Sequence, residues 1–224
     1  MSASNPTWRP NEKTNSPVHE QVTIDPATLP VRDLYHLINS TIIPRPIAFI
    51  STVSPTGVVN LAPFSFFNGV SSNPPCLMVS IAPKADGTKK DTLRNIEETK
   101  QFVVNSASMW LAEPLVYCAA EFAYGVDEMA QSGLTPIASV KVKPPRVQEA
   151  AVHFECELYK LIPVGDGSPG SSTIVIGKIV LVHVHAKAYQ NGRVDFRELA
   201  PLSRLGGISY AGVGESFELK VPKA

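Results

Sequence analysis

Lys89-Lys90-Asp91-Thr92 places two ammonium groups just ahead of Leu93 and Ile96, an apolar pair at helical spacing. A helix that starts here offers unpaired backbone N–H groups and the positive end of its dipole, a setting for a phosphate. Lys90 would supply charge and the Thr92 hydroxyl a further donor. The same residues also read as an exposed basic turn capped by Asp91. Upstream, Asn60-Leu61-Ala62-Pro63-Phe64-Ser65-Phe66-Phe67-Asn68 gathers amide, hydroxyl and phenyl groups in one short stretch. Small polar groups along a heteroatom edge and phenyl faces against a ring suit a planar ligand, here one with an anionic tail. Ser65 and Asn68 are three apart, so a turn would aim both at one ligand. The alternative is a hydrophobic loop packed in the core, with Ser and Asn satisfying nearby backbone.

Other residues are candidates on weaker grounds. Arg45 lies between Pro44 and Pro46, which hold its backbone extended. It is placed to meet a phosphate, a carboxylate across a subunit interface, or only a surface acid. Thr52 alternates with Ile50 along an apolar run and is a polar group that can reach a ligand. His183 and His185 fall on one face of a strand. A metal would need further ligands, and no Asp, Glu or Cys stands at a suggestive spacing. The other readings are a neutral imidazole that hydrogen-bonds a ligand and a purely structural polar contact. Arg204, before Gly206-Gly207, is a further cation for a phosphate. Those glycines form no dinucleotide fingerprint, since they neither follow a strand nor open a G-x-G-x-x-G helix.

The elements that must position these groups are short. Ile47–Ser54 and Val58–Pro63 read as strands around the Ser54-Pro55-Thr56-Gly57 turn. Leu77–Ala82 and Gln101–Asn105 read as two more, and Val152–Val164 and Ser172–His185 as a long hairpin around the Gly165–Gly170 loop. Helices are expected at Asp33–Asn39, from Asp91 or Thr92 as N-cap, at Ser108–Ala120 with Leu111, Leu115 and Cys118 on one side, and at Asp127–Ser132. Residues 1–30 have no apolar period and read as an irregular arm, with Trp8 as an anchor, ahead of a single domain over 31–224. Six or so strands without βαβ alternation favour an antiparallel barrel over a doubly wound sheet.

Composition narrows the functional classes. Twenty acids balance twenty bases, so no net field draws nucleic acid or an anionic membrane. Twenty prolines in 224 residues interrupt the chain often, which favours short strands and shaped loops. Three cysteines with no C-x-x-C pair make neither a disulfide framework nor a zinc pattern. No secretory signal and no run long enough to span a bilayer is visible, so a cytoplasmic protein is expected.

The stretch from Pro44 to Thr92, the Pro-Arg-Pro triplet, NLAPFSFFN, the lysine turn and the R-x-G-G-x-x-Y element at Arg204–Tyr210 closely resemble the flavin-reductase-like family. That family comprises FMN-binding split barrels, including flavoredoxins and the reductase components of two-component monooxygenases. The resemblance covers roughly Pro44 to the C-terminus. It implies a mainly β fold: an antiparallel, Greek-key type split barrel of about six strands with a few short inserted helices. It implies FMN as cofactor and NAD(P)H as reductant, with hydride transfer to flavin N5. It implies a homodimer, with a partner monooxygenase or another electron acceptor. By resemblance, the phosphate lies against Lys90, Asp91 and Thr92 and the isoalloxazine against the Asn60–Asn68 segment, where Ala62, Pro63, Phe64, Ser65 and Phe66 are contacts. His183 takes the place near the ring or its nicotinamide partner. A flavoredoxin-like electron carrier and a non-catalytic flavin binder are the alternatives.

Overall fold

The computed structural model describes residues 9–14, 18 and 20–221. By its internal contacts the chain divides into Met1–Pro30 and Val31–Ala224. In the first unit, Asp25 accepts the Ala27 N–H at 2.9 Å and caps a short 3-10 turn, Pro26–Thr28. Trp8 lies outside the described residues.

The second unit is built on one antiparallel sheet of seven strands: β1 (Ala48–Val53), β2 (Val59–Phe64), β3 (Phe67–Ser72), β4 (Pro75–Ile81), β5 (Gln101–Ser106), β6 (Val152–Val164) and β7 (Ser172–Val184). Their order across the sheet is β2-β1-β5-β6-β7-β4-β3. The edge strands β2 and β3 are joined by Ser65-Phe66 alone. Seven strands lying flat would separate the edges by about 29 Å at about 4.8 Å per step. The three peptide steps from Phe64 to Phe67 span at most about 11 Å. The sheet must therefore curl until its edges meet, which makes a barrel with its seam at Ser65-Phe66. That is the mainly β split barrel with few short helices.

Both faces of β1 are buried, and they face different cores. Ala48 and Ile50 join Val79, Phe102, Val104, Cys156 and Val175 in one cluster, with Leu93 and Ile96 of α2 (Asp91–Thr99). Phe49 points the other way, to Leu111, Leu115, Cys118 and Met129. Leu115 belongs to α3 (Ala112–Tyr117), entered through a 3-10 turn at Met109–Leu111, and Met129 to α4 (Glu128–Gln131). Asp127 caps α4 by accepting the Ala130 N–H at 3.0 Å. Strand period two thus divides the apolar residues of one strand between two cores. The three cysteines are free and buried.

Several local expectations need correction. Phe67–Ser72 is a strand, not part of an aromatic loop, and Pro75 opens β4, the first-residue position a proline tolerates. The helix expected at Asp33–Asn39 runs over Val31–Thr41 as α1. Of its apolar residues, Leu34 and Leu37 are half-buried and Ile38 is exposed. The N-cap of α2 is Lys90, with no side-chain cap bond; Asp91 is the first helical residue because Lys84 takes its carboxylate at 2.9 Å. Arg45-Pro46 pairs with Leu202–Arg204, which pairs in turn with Tyr210–Gly212, in a small separate sheet.

Candidate functional site

Two adjoining clefts open beside β2, and Pro63, Phe64 and Ala119 line both. The first, about 440 Å³, lies between β2, the start of α2 and the Cys118–Phe122 segment. The second, about 560 Å³, runs past Ser65 to Arg204, Tyr210 and Tyr35.

The edge position of β2 explains its part in the walls. Leu61 turns its N–H away from β1 and donates it to Glu128 Oε2 at 3.0 Å. Two residues on, Pro63 has the same outward parity, where a missing N–H leaves no ladder bond unmade. Behind the wall, Asn60 Nδ2 donates to Thr92 Oγ1 at 3.0 Å and Thr52 Oγ1 at 3.2 Å, while Asn95 Nδ2 donates to Thr52 Oγ1 at 3.0 Å. This buried network ties β1, β2 and the first turns of α2 into one rigid support.

The charged groups of the first cleft are Lys84, Lys90, Asp91, Glu121 and Glu128. Lys84 Nζ meets Asp91 at 2.9 Å, and Lys90 Nζ meets Glu121 at 3.4 Å. Glu128 is buried, and no cation among the described residues pairs with it. Burial pushes its carboxyl above the ordinary value; the Leu61 N–H and its own backbone N–H pull the other way, and Asp91 and Asp127 push it further up. Cys118 forms part of the same wall, and burial raises its thiol to about 11, so it is a neutral thiol near pH 7.

Of the residues expected from sequence, Asn60, Ala62, Pro63, Phe64, Lys90, Asp91 and Thr92 line the first cleft. Ser65 and Arg204 line the second. The others do not line either one. Thr52 is fully buried behind the wall as the acceptor of two amides. Asn68 sits on an exposed stretch of β3 and binds the Gly69 N–H at 2.8 Å; an extended chain separates residues three apart, so no turn joins it to Ser65. Phe66 is half-buried with the Arg45 guanidinium 5.9 Å from its ring centre.

Arg45 is buried and occupied. It donates to the carbonyls of Asn39, Ile42 (2.8 Å) and Leu205 (3.0 Å) and to Ser65 Oγ (3.3 Å). It ties the end of α1 to the seam and to the Arg204 turn instead of facing an anion. Burial and then Arg204 lower its pKa, against Tyr35. Gly206 packs close to α1, where an added Cβ would lie 2.9 Å from the Ser40 Cβ, so its smallness serves that contact and not a ligand. Arg204 donates to the Gly207 carbonyl and stacks 4.3 Å from the Tyr210 ring centre.

His183 Nε2 donates to Glu155 Oε1 at 2.7 Å, and His153 lies opposite it in the β6–β7 register. Glu155, fully buried, also accepts the N–H groups of Val140 (2.8 Å) and Lys141 (2.5 Å). The imidazole thus has a carboxylate partner 28 residues away that sequence spacing does not reveal. Among the described residues no cluster of three or more His, Cys, Asp or Glu can hold a metal ion.

Sequence reasoning missed Lys84 and Glu128. Lys84 follows Pro83 in a turn, and only its position just after an apolar strand hinted that it returns to the sheet edge. Glu128 sits beside a capping Asp in a four-residue helix, where an acid ordinarily faces water.

An uncharacterized protein of Aquifex aeolicus is 41% identical over 189 residues, which is 84% of this chain and 94% of that protein. Nitrilotriacetate monooxygenase component B from Bacillus cereus superposes with a TM-score of 0.86 at 38% identity, over 90% of this chain and all of that one. The 2-nitrobenzoate 2-nitroreductase NbaA of Pseudomonas fluorescens does so at 0.80 and 31%, over 90% of this chain and 96% of that one. The family profile described as flavin reductase like domain matches residues 40–200. With the split barrel, its two joined clefts and these matches, the chain belongs to the flavin-reductase-like family.

Proposed function

We propose that this protein binds FMN along the joined clefts and acts as an NAD(P)H-dependent flavin oxidoreductase. The observation that carries this is the continuity of a helix start flanked by Lys84 and Lys90 with a slot lined by Ser65, Tyr210 and Arg204, joined across Pro63 and Phe64. The residues fit the group. Lys84, Lys90 and the first N–H groups of α2 suit a phosphate, and Thr92 adds a hydroxyl. Phe64, Ser65 and Tyr210 offer the aromatic faces and small polar edge that an isoalloxazine needs. When bound, FMN supplies the redox chemistry, accepting a hydride at N5 from a nicotinamide.

The chain's own residues bind, orient and exclude water. Lys90 releases Glu121, a weak exposed pair, to meet the phosphate. The Thr52–Asn60–Thr92–Asn95 network keeps β2 and α2 at a fixed spacing, so the slot is ready before the ligand arrives. The chain would need no acid–base dyad of its own, since bound FMN would supply the redox chemistry and the protein only position it. His183, held by Glu155, orients the reductant in this reading.

A homodimer belongs to the same reading. Val31, Tyr35 and Ile38, at i, i+4 and i+7 along α1, and Ile42 just past its end are exposed apolar residues, as are Met109, Trp110, Val116 and Tyr117. A homodimer would cover such faces. The Bacillus cereus relative is one component of a monooxygenase, which favours a separate protein as electron acceptor here.

The test is nicotinamide oxidation with and without FMN. Oxidation of NADH or NADPH that depends on FMN supports the proposal. A stable FMN complex with no oxidation above the protein-free rate overturns the enzymatic part and leaves an electron carrier.

A further inference from the structure

Glu128 is the one acid of the first cleft without a cation among the described residues. Its side chain comes from α4, yet it reaches across to β2, where Oε2 holds the Leu61 N–H at 3.0 Å. The residue is only 5% exposed, and it lines the first cleft. The charged and titratable groups around it are few. Asp127 is on its own turn, and Asp91 and Lys90 come from the start of α2. Lys84 comes from the loop after β4, and Glu121 and Cys118 from the segment after α3; β2 contributes none.

The charge count decides what this carboxyl must do. With every group ionised, three acids oppose two lysines, so the wall is net negative before any anion arrives. A phosphate monoester brings about −1.5 to −2 more. Lys84 and Lys90 can change partners, but Glu128 has no cation to exchange, and at 5% exposure it has little access to water. A like charge next to a buried carboxylate favours its neutral form. A neutral Glu128 keeps Oε2 on Leu61 and turns an Oε1–H donor toward the cleft.

We propose that Glu128 is a proton-carrying wall of the phosphate cleft: it binds a proton when an anionic tail enters and donates that proton in a hydrogen bond, so ligand affinity falls as pH rises. The raised pKa that burial imposes on Glu128 agrees with this. The idea rests on the FMN reading above and adds a residue and a proton linkage to it.

The test is calorimetry of FMN binding to the full-length protein in buffers of different ionisation enthalpy. It is run near pH 7.5, where a phosphate ester with a second pKa of about 6 is already a dianion. Riboflavin, which lacks the phosphate, is titrated in parallel, and both are repeated with Glu128→Gln. The expected result is net proton uptake with FMN, none with riboflavin, and none with FMN in E128Q. Across the pH range, wild-type FMN affinity should fall about tenfold or more relative to E128Q, the size of a one-unit shift from a neighbouring like charge. Taking the ratio to E128Q cancels the titration of FMN itself. If E128Q does not fold, the two wild-type ligands decide alone. FMN binding without proton uptake, or equal uptake with riboflavin, overturns the proton linkage but leaves the FMN site standing. No FMN binding at any pH overturns both.

Discussion

Lys90 and Lys84 matter to the proposed site in different degrees. Lys84 is bound to Asp91 and to the Phe122 carbonyl (3.4 Å), whereas Lys90 holds only a long contact to a half-exposed Glu121. Lys90 is therefore the cation that can move to an anion at least cost. Lys90→Ala should weaken FMN binding by about 1–3 kcal/mol, the range for losing a charge-assisted bond. Equilibrium titration checks this, and unchanged affinity would remove the lysine turn from the site. Glu155 gives a prediction in pH. Burial opposes its charge, but the Val140 and Lys141 amides and His183 outweigh burial and hold the carboxyl below its ordinary value. A lowered folded pKa means stability that is complete above the unfolded value of about 4.3 and lost as pH falls through the folded one. Melting temperatures of wild type and Glu155→Gln should therefore differ most near neutral pH and converge in acid; a constant gap would show that the carboxylate's charge contributes nothing. Residue types together with the family resemblance marked Lys90, Asp91, Thr92, Asn60 and Phe64, because a helix start and a polar–aromatic run are visible in local sequence. They misplaced Arg45, Thr52 and Asn68, because whether a polar side chain meets a ligand or its own backbone is decided by partners far along the chain.

At the scale of elements, the strands were legible wherever turn residues bounded an apolar alternation, as at Gly57 and between Val164 and Ser172. Phe67–Ser72 was not, because Asn, Gly and Ser are poor strand formers and its pairing with β4 supplies what propensity lacks. Gly177 shows how tightly these strands close. It lies at a register shift in β7, and a Cβ there would sit 2.3 Å from Phe102 Cζ, a fully buried ring. Gly177→Ala should cost about 1–3 kcal/mol of stability, as overpacking does. Denaturant unfolding checks it, and a neutral result would mean that Phe102 has room to move.

At the scale of the whole molecule, the barrel closes because two residues must bridge its edges, and that closure sets the Phe64–Ser65 wall beside the start of α2. The exposed apolar residues of α1 and those around Trp110 predict self-association. Sedimentation should give twice the 24.2 kDa chain mass, and Tyr35→Glu together with Ile38→Glu should shift it to the monomer. A monomer in the wild type would leave those faces for another partner. The most direct test of the central idea compares FMN with riboflavin in one titration of the purified protein. The joined clefts predict that both bind, with FMN tighter by about tenfold or more, because only FMN reaches the lysines and the helix start. Equal affinities, or no binding of either, would contradict it.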